Sequence, residues 1–198
     1  MSGEILAVTC RALCTGDFLQ QIARLAESPV KAIVLREKDL PEDDYEQLAA
    51  SVFALCRSRR KPCILHTYTG AAVRLGCRRI HLPLALLRAL PEETRQHFDT
   101  IGVSVHSASE AIEAVGWGAS YLTAGHIFDT DCKAGLPGRG LDFLRQVCSR
   151  VSIPVYAIGG ITPGRMPEIL QTGARGGCMM SSLMRCADPT AYLQGDAE

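Results

Sequence analysis

At 198 residues, 47% hydrophobic and 21% charged, the chain has an ordinary globular composition and is long enough for one domain with a sizeable core. Its 21 Lys+Arg balance 21 Asp+Glu, which argues against the basic footprint of a nucleic-acid binder. No run of roughly 18 apolar residues occurs, so no membrane-spanning helix is expected.

The first residues, Met1 to Ile5, lack the cationic-then-apolar pattern of a secretory signal. Nine cysteines are scattered between Cys10 and Cys186 without a CxxC pair, which suits reduced thiols in a cytoplasmic protein better than a disulfide framework.

In chain order, short β-like runs alternate with longer stretches of helical periodicity. Residues 5–9 read as a strand, and Asp17 can cap a helix running to Glu27. Residues 32–35 are a buried-strand run. Pro41 then opens a helix with Tyr45, Leu48, Ala49, Val52 and Leu55 at core spacing, acidic at its start and basic at its end, as the helix dipole favours. Residues 63–66 predict a third strand, 70–75 a short helix, 79–82 a weaker strand and 84–90 another short helix. Residues 101–105 predict the fifth strand, and a helix starts near Ser109. Residues 121–124 form the sixth, followed by a polar, Gly-containing loop over 127–139 and a helix over 141–151. Residues 154–158 run into Gly159-Gly160, and Thr162-Pro163 opens a helix ending near Gly173. Residues 177–180 are the eighth strand, and Asp188-Pro189 starts a last helix. Eight β-then-α units predict a single-domain (β/α)₈ TIM barrel over 1–198, with short loops.

In that fold, reactive groups sit where strands end. The rule selects Arg36-Glu37-Lys38, His66, His81, Ser104 to His106, His126 to Arg139, Gly159-Gly160 and Ser181-Ser182. Gly159 and Gly160 beside a helix start, with Met180-Ser181-Ser182 one strand later, form the pattern of a phosphate site, although two glycines can also simply make a tight turn. His126 is either an acid–base imidazole or a structural one. The loop after it carries Thr130, Lys133 and Arg139 as donors for an anion. Period-two geometry points Arg36 and Lys38 to one side and Glu37 to the other, which fits an anion clamp or a solvated turn equally.

Taken together, Leu35-Arg36-Glu37-Lys38-Asp39-Leu40, Ile80-His81-Leu82-Pro83, residues 101–107, residues 125–133 and residues 157–163 resemble the thiamine phosphate synthase superfamily, in order and through nearly the whole chain. The stretch Gly125 to Lys133 resembles its TenI-like branch, the thiazole tautomerases. That resemblance implies an isomerase of thiamine biosynthesis, which converts a non-aromatic carboxythiazole phosphate to its aromatic tautomer without metal or other cofactor. It implies His126 as the acid–base residue. It implies Thr130, Cys132, Lys133, Gly159, Gly160, Met180 and Ser181 as contacts to a small thiazole phosphate, with Arg36, Lys38 or Ser104 holding the carboxylate. It is also compatible with a homodimer. The alternatives are a non-catalytic thiazole phosphate binder and a synthase. The synthases join a pyrimidine diphosphate to a thiazole phosphate with Mg²⁺. Their pattern has Gln where this chain has Val34, Asn-Asp where it has His66-Thr67, and an Asp in the region reading Pro83 to Leu87. A Mg²⁺–diphosphate site needs hard oxygen ligands, so the sequence favours the isomerase over the synthase.

Overall fold

The computed structural model describes residues 3–130, 133 and 135–195. Among them, eight strands form a closed parallel barrel: β1 (Glu4–Val8), β2 (Ala32–Leu35), β3 (Cys63–His66), β4 (Arg79–Pro83), β5 (Thr100–Val105), β6 (Tyr121–Gly125), β7 (Val155–Ile158) and β8 (Gly176–Met179). Each pairs with the next, and β8 closes on β1 with Leu6 opposite Cys178. The helices between them are α1 (Phe18–Glu27), α2 (Glu42–Ser58), α3 (Thr69–Arg74), α4 (Leu84–Ala89), α5 (Glu92–Gln96), α6 (Ala108–Gly116), α7 (Gly140–Cys148), α8 (Met166–Leu170), α9 (Ser181–Arg185) and α10 (Pro189–Gln194). This is the (β/α)₈ barrel that the alternating pattern predicts.

Two apolar layers follow from the strand period of two. Ala7, Ile33, Leu35, Leu65, Ile80, Leu82, Val103 and Leu122 point outward and pack beneath the helices. Leu6, Val8, Ala32, Val34, Ile64, Tyr121, Tyr156 and Cys178 fill the interior. The interior is packed large against small. A Cβ on Gly102 would lie 2.1 Å from the Tyr121 ring, so the glycine makes room for that tyrosine on the neighbouring strand.

Local sequence accounts for the helix ends. The Asp17 carboxylate accepts the Gln20 amide, Ser107 Oγ accepts the Glu110 amide, and Asp188 accepts the Thr190 and Ala191 amides, each an N-cap bond. Three expectations need correction. The helix expected over 162–173 is a 3₁₀ turn, Pro163–Arg165, followed by the five-residue α8; Thr162 makes no capping bond, and Gly164 and Pro167 interrupt the run. The helix expected over 141–151 starts at Gly140 and stops at Cys148. The strands expected to end at Thr9 and Met180 end one residue earlier.

Candidate active site

Counting the interior positions outward along each strand gives the lining of the mouth. On β2 the interior residues Ala32 and Val34 lead to Arg36 just past the strand end, and Lys38 follows, exposed, in the turn. On β3 Ile64 leads to His66, and on β5 Gly102 leads to Ser104. Tyr45 of α2 fixes two of these strand ends. Its hydroxyl donates to the Leu35 carbonyl (2.8 Å) and accepts the His66 amide (2.9 Å).

Glu37 points away from the mouth, as the alternation predicts, and is buried at 3% exposure. The Thr9 hydroxyl donates to its Oε1 (2.6 Å) and accepts the Arg36 amide (2.9 Å), while its Oε2 accepts the Arg11 amide (2.9 Å). Burial raises the Glu37 carboxyl above its usual range. This clip holds the backbone between Arg36 and Lys38, and both cations act electrostatically on the His66 and His81 rings. Lys133 lies within electrostatic reach of Lys38. Burial and the like charges of Arg36 and Lys133 hold the Lys38 ammonium below its ordinary value.

His66 and His81 face each other across β3 and β4, directly opposite in register, with ring centroids 5.2 Å apart. His66 Nδ1 is 2.6 Å from Thr67 Oγ1; His81 Nδ1 is 3.0 Å from the Tyr121 hydroxyl and its Nε2 is 2.9 Å from Ser104 Oγ. Burial, reinforced by His81, Lys38 and Arg36, pushes His66 down to about 2. Burial with the same two cations pushes His81 down to about 3. Both imidazoles are therefore neutral at working pH. Tyr121 is buried and its phenol is held well above the usual range, so it keeps its proton. With Tyr121 donating to His81 Nδ1, Nε2–H donates to Ser104 Oγ, which also accepts the Thr123 hydroxyl (3.2 Å). The Ser104 hydrogen is then left to point at a ligand.

Across the mouth, Gly159 (φ +98°) and Gly160 (φ +65°) take backbone conformations suited to glycine. A Cβ on Gly159 would stand 2.3 Å from His126 Cβ and 2.8 Å from its Cα. Gly159→Ala is expected to cost about 2–5 kcal/mol through left-handed strain plus overpacking. Urea denaturation measures that loss directly, and an unchanged midpoint would disprove the close approach. Met180 and Ser181 stand half-buried at the end of β8 and the start of α9.

His126 follows β6, and its Nε2 donates to the Leu136 carbonyl (3.2 Å). The loop after it is closed by bonds from the Arg139 and Gly140 amides to the His126 and Ile127 carbonyls, and from the Gly138 amide to Asp129 Oδ1. Arg139 reaches the His106 carbonyl with Nη1, and the Arg165 guanidinium stacks 3.9 Å above Phe128. The imidazole thus ties down its own loop. Thr130 is half-buried and Lys133 exposed; Cys132 lies outside the described residues.

Glu37 is engaged by Thr9 and Arg11, Asp39 by Arg11 and Asp129 by the Gly138 amide. Among the described residues no group of three or more His, Cys, Asp or Glu is placed to hold a metal ion. Mg²⁺ requires near-octahedral oxygen ligation. The described strand ends offer neutral imidazoles, hydroxyls and cations instead, so the described residues do not fit that ion. A groove of about 500 Å³ lined by Phe53, Arg57 and Leu75 lies on the outer helix layer, away from these strand ends. Among the described residues no helix is long and apolar enough to cross a membrane.

A family model described as thiamine monophosphate synthase matches residues 5–183. The chain is 30% identical over 201 residues to a thiamine-phosphate synthase of Syntrophomonas wolfei, covering 98% of this chain and 92% of the relative. It is 35% identical over 176 residues to a thiamine-phosphate synthase of Chlorobium phaeobacteroides, covering 87% of this chain and 84% of the relative. A solved structure, thiamine phosphate pyrophosphorylase from Pyrococcus furiosus, superposes with a TM-score of 0.83 at 28% identity, over 98% of this chain and 93% of that one. These findings correct the isomerase expectation. The relatives are named as synthases, so the resemblance of Gly125 to Lys133 does not carry the chain into the tautomerase branch.

Proposed function

The chain belongs to the thiamine monophosphate synthase family, and on that premise we propose that it is a transferase joining a pyrimidine diphosphate to a thiazole phosphate, with release of inorganic diphosphate. In this reading the thiazole ring nitrogen forms a bond to the pyrimidine methylene carbon. The bond from that carbon to the diphosphate oxygen breaks, and the oxygen leaves with the electron pair.

The observation that supports it is the pairing of two anion-holding sectors on one barrel mouth. Arg36, Lys38 and Lys133 supply a cationic sector suited to a leaving diphosphate. Gly159, Gly160 and the start of α9 supply a main-chain sector suited to a monophosphate tail. A substrate pair in which one member carries a diphosphate and the other a monophosphate fits that division, and holding both on one mouth supplies orientation for the displacement.

Incubation of the purified protein with both precursors, followed by phosphorus NMR for inorganic diphosphate and chromatography for thiamine phosphate, tests the proposal. One equivalent of diphosphate per thiamine phosphate is expected. The lack, among the described residues, of a carboxylate free to hold a metal at the mouth favours, as a second reading, a chain that binds the thiazole phosphate without turnover. Tight binding of that phosphate with no product from either buffered mixture, with or without Mg²⁺, would replace the first reading by the second.

A further inference from the structure

Resting on the synthase reading and deepening it, we infer that the mouth formed by β2, β3 and β4 binds a diphosphate group directly, without Mg²⁺, through Arg36, Lys38 and Lys133, with the neutral His66 ring as a hydrogen-bonding partner. Three observations carry this.

The first is the charge balance. Arg36 and Lys38 make no side-chain hydrogen bond or ion pair among the described residues, and Lys133 is exposed beside Lys38. Like charges gathered without counter-charge are unfavourable until an anion arrives. A diphosphate brings several negative charges and many acceptor oxygens, and Arg can meet it with a fork of donors. A Mg²⁺ ion arriving with it would add two positive charges to a mouth that already holds three cations.

The second is the donor set. Among the described residues the carboxylates nearest these strand ends are occupied. Glu37 is turned outward onto Thr9 and Arg11, and Asp39 is bound by Arg11 at 2.6 Å. The position at the end of β3 holds His66, whose imidazole nitrogen is a poor match for Mg²⁺.

The third is the state of that imidazole. His66 Nδ1 is bonded to Thr67 Oγ1, and among the described residues Nε2 has no partner, yet it is not among the buried unpartnered atoms. That nitrogen therefore keeps some solvent contact, although the residue as a whole is only 5% exposed. Its neighbour His81 is fully committed to Tyr121 and Ser104 and cannot serve in its place.

Isothermal titration of the intact protein with inorganic pyrophosphate, once in EDTA and once in excess Mg²⁺, tests the inference. Binding in EDTA is expected, with affinity equal to or weaker in Mg²⁺, which complexes the probe in solution. Tighter binding in Mg²⁺, or no binding in either buffer, overturns the inference. His66→Asp supplies the missing hard ligand and a repelling charge. It is expected to weaken binding in EDTA by at least tenfold and to recover most of that loss when Mg²⁺ is added. A folded His66→Asp protein with the wild-type Mg²⁺/EDTA ratio removes His66 from the site, a result that a merely structural histidine would give. The two proposals fail separately: pyrophosphate binding in EDTA with no thiamine phosphate formed from both precursors sinks the synthase reading alone, while product formation with pyrophosphate binding confined to Mg²⁺ sinks this one alone.

Discussion

Lys38→Met is expected to lower kcat/KM for thiamine phosphate formation by about 10²–10³-fold, the scale seen when one preorganised electrostatic contact to a developing charge is removed. The expectation comes from where the ammonium sits and what it lacks. Lys38 lies in the turn just after β2, solvent-exposed, with Arg36 half-buried next to the strand end, and the Thr9–Glu37–Arg11 clip fixes the backbone between them. Partial desolvation and two cationic neighbours depress the Lys38 pKa, so the free protein holds the charge at a cost. Charge developing on a leaving diphosphate oxygen relieves that cost in the transition state more than in the ground state, which is the condition for an effect on kcat. Methionine keeps the length and apolar stem of the side chain while deleting the charge. Because the like-charge cluster loses a member, the urea midpoint is expected to stay the same or rise. A fall in kcat/KM under fivefold with both substrates saturable would place the leaving group elsewhere on the mouth.

What could be read from the chain, and what could not, divides along the range of the interactions. The strands were legible because each is a short buried run bounded by turn residues, and eight such runs with helical stretches between them leave a closed parallel barrel as the economical solution. The elements that escaped are short: the 3₁₀ turn Arg11–Leu13, α5 over Glu92–Gln96 and α9 over Ser181–Arg185 each span five residues or fewer, too few turns for a periodic signal. Within the candidate site, Arg36, Lys38, His66, His81 and Ser104 were selected by the strand-end rule alone. Their assembly was not, since it depends on register. His66 opposite His81, and His81 bonded to Ser104 across β4 and β5, follow from pairings that no local window contains. The role of Glu37 as a clip depends on Thr9 and Arg11, 28 and 26 residues away. The partner of His126 was hidden for the same reason. Its Nε2–H meets the Leu136 carbonyl, ten residues on, a contact set by the fold of the loop.

The buried histidine pair should also make the fold acid-sensitive in a window where little else titrates. His66 and His81 are held at about 2 and about 3 in the folded protein, against 6.5 unfolded. Both folded values are depressed bases, so the unfolded chain binds two protons that the folded chain refuses, and stability falls as pH drops below about 6.5. Each proton is worth about 1.4 kcal/mol per pH unit well below that point, so the pair sets a limiting slope of about 2.7 kcal/mol per unit and a loss of about 4 kcal/mol between pH 8 and pH 5. The depressed carboxyls of Glu4, Glu46, Asp99 and Glu113 withdraw their own stabilisation only below about pH 4.5, outside this window. Glu37 acts with the opposite sign. Its raised carboxyl takes up a proton in the folded state first, which recovers some stability on acidification and trims the slope. Urea titrations at pH 8, 6.5 and 5 should show the loss, and His81→Asn should remove about half of it. A wild-type stability flat across that range would mean that the imidazoles accept protons where they stand. The mouth would then carry two further positive charges beside Arg36 and Lys38, and the neutral network from Tyr121 through His81 to Ser104 would have to be abandoned.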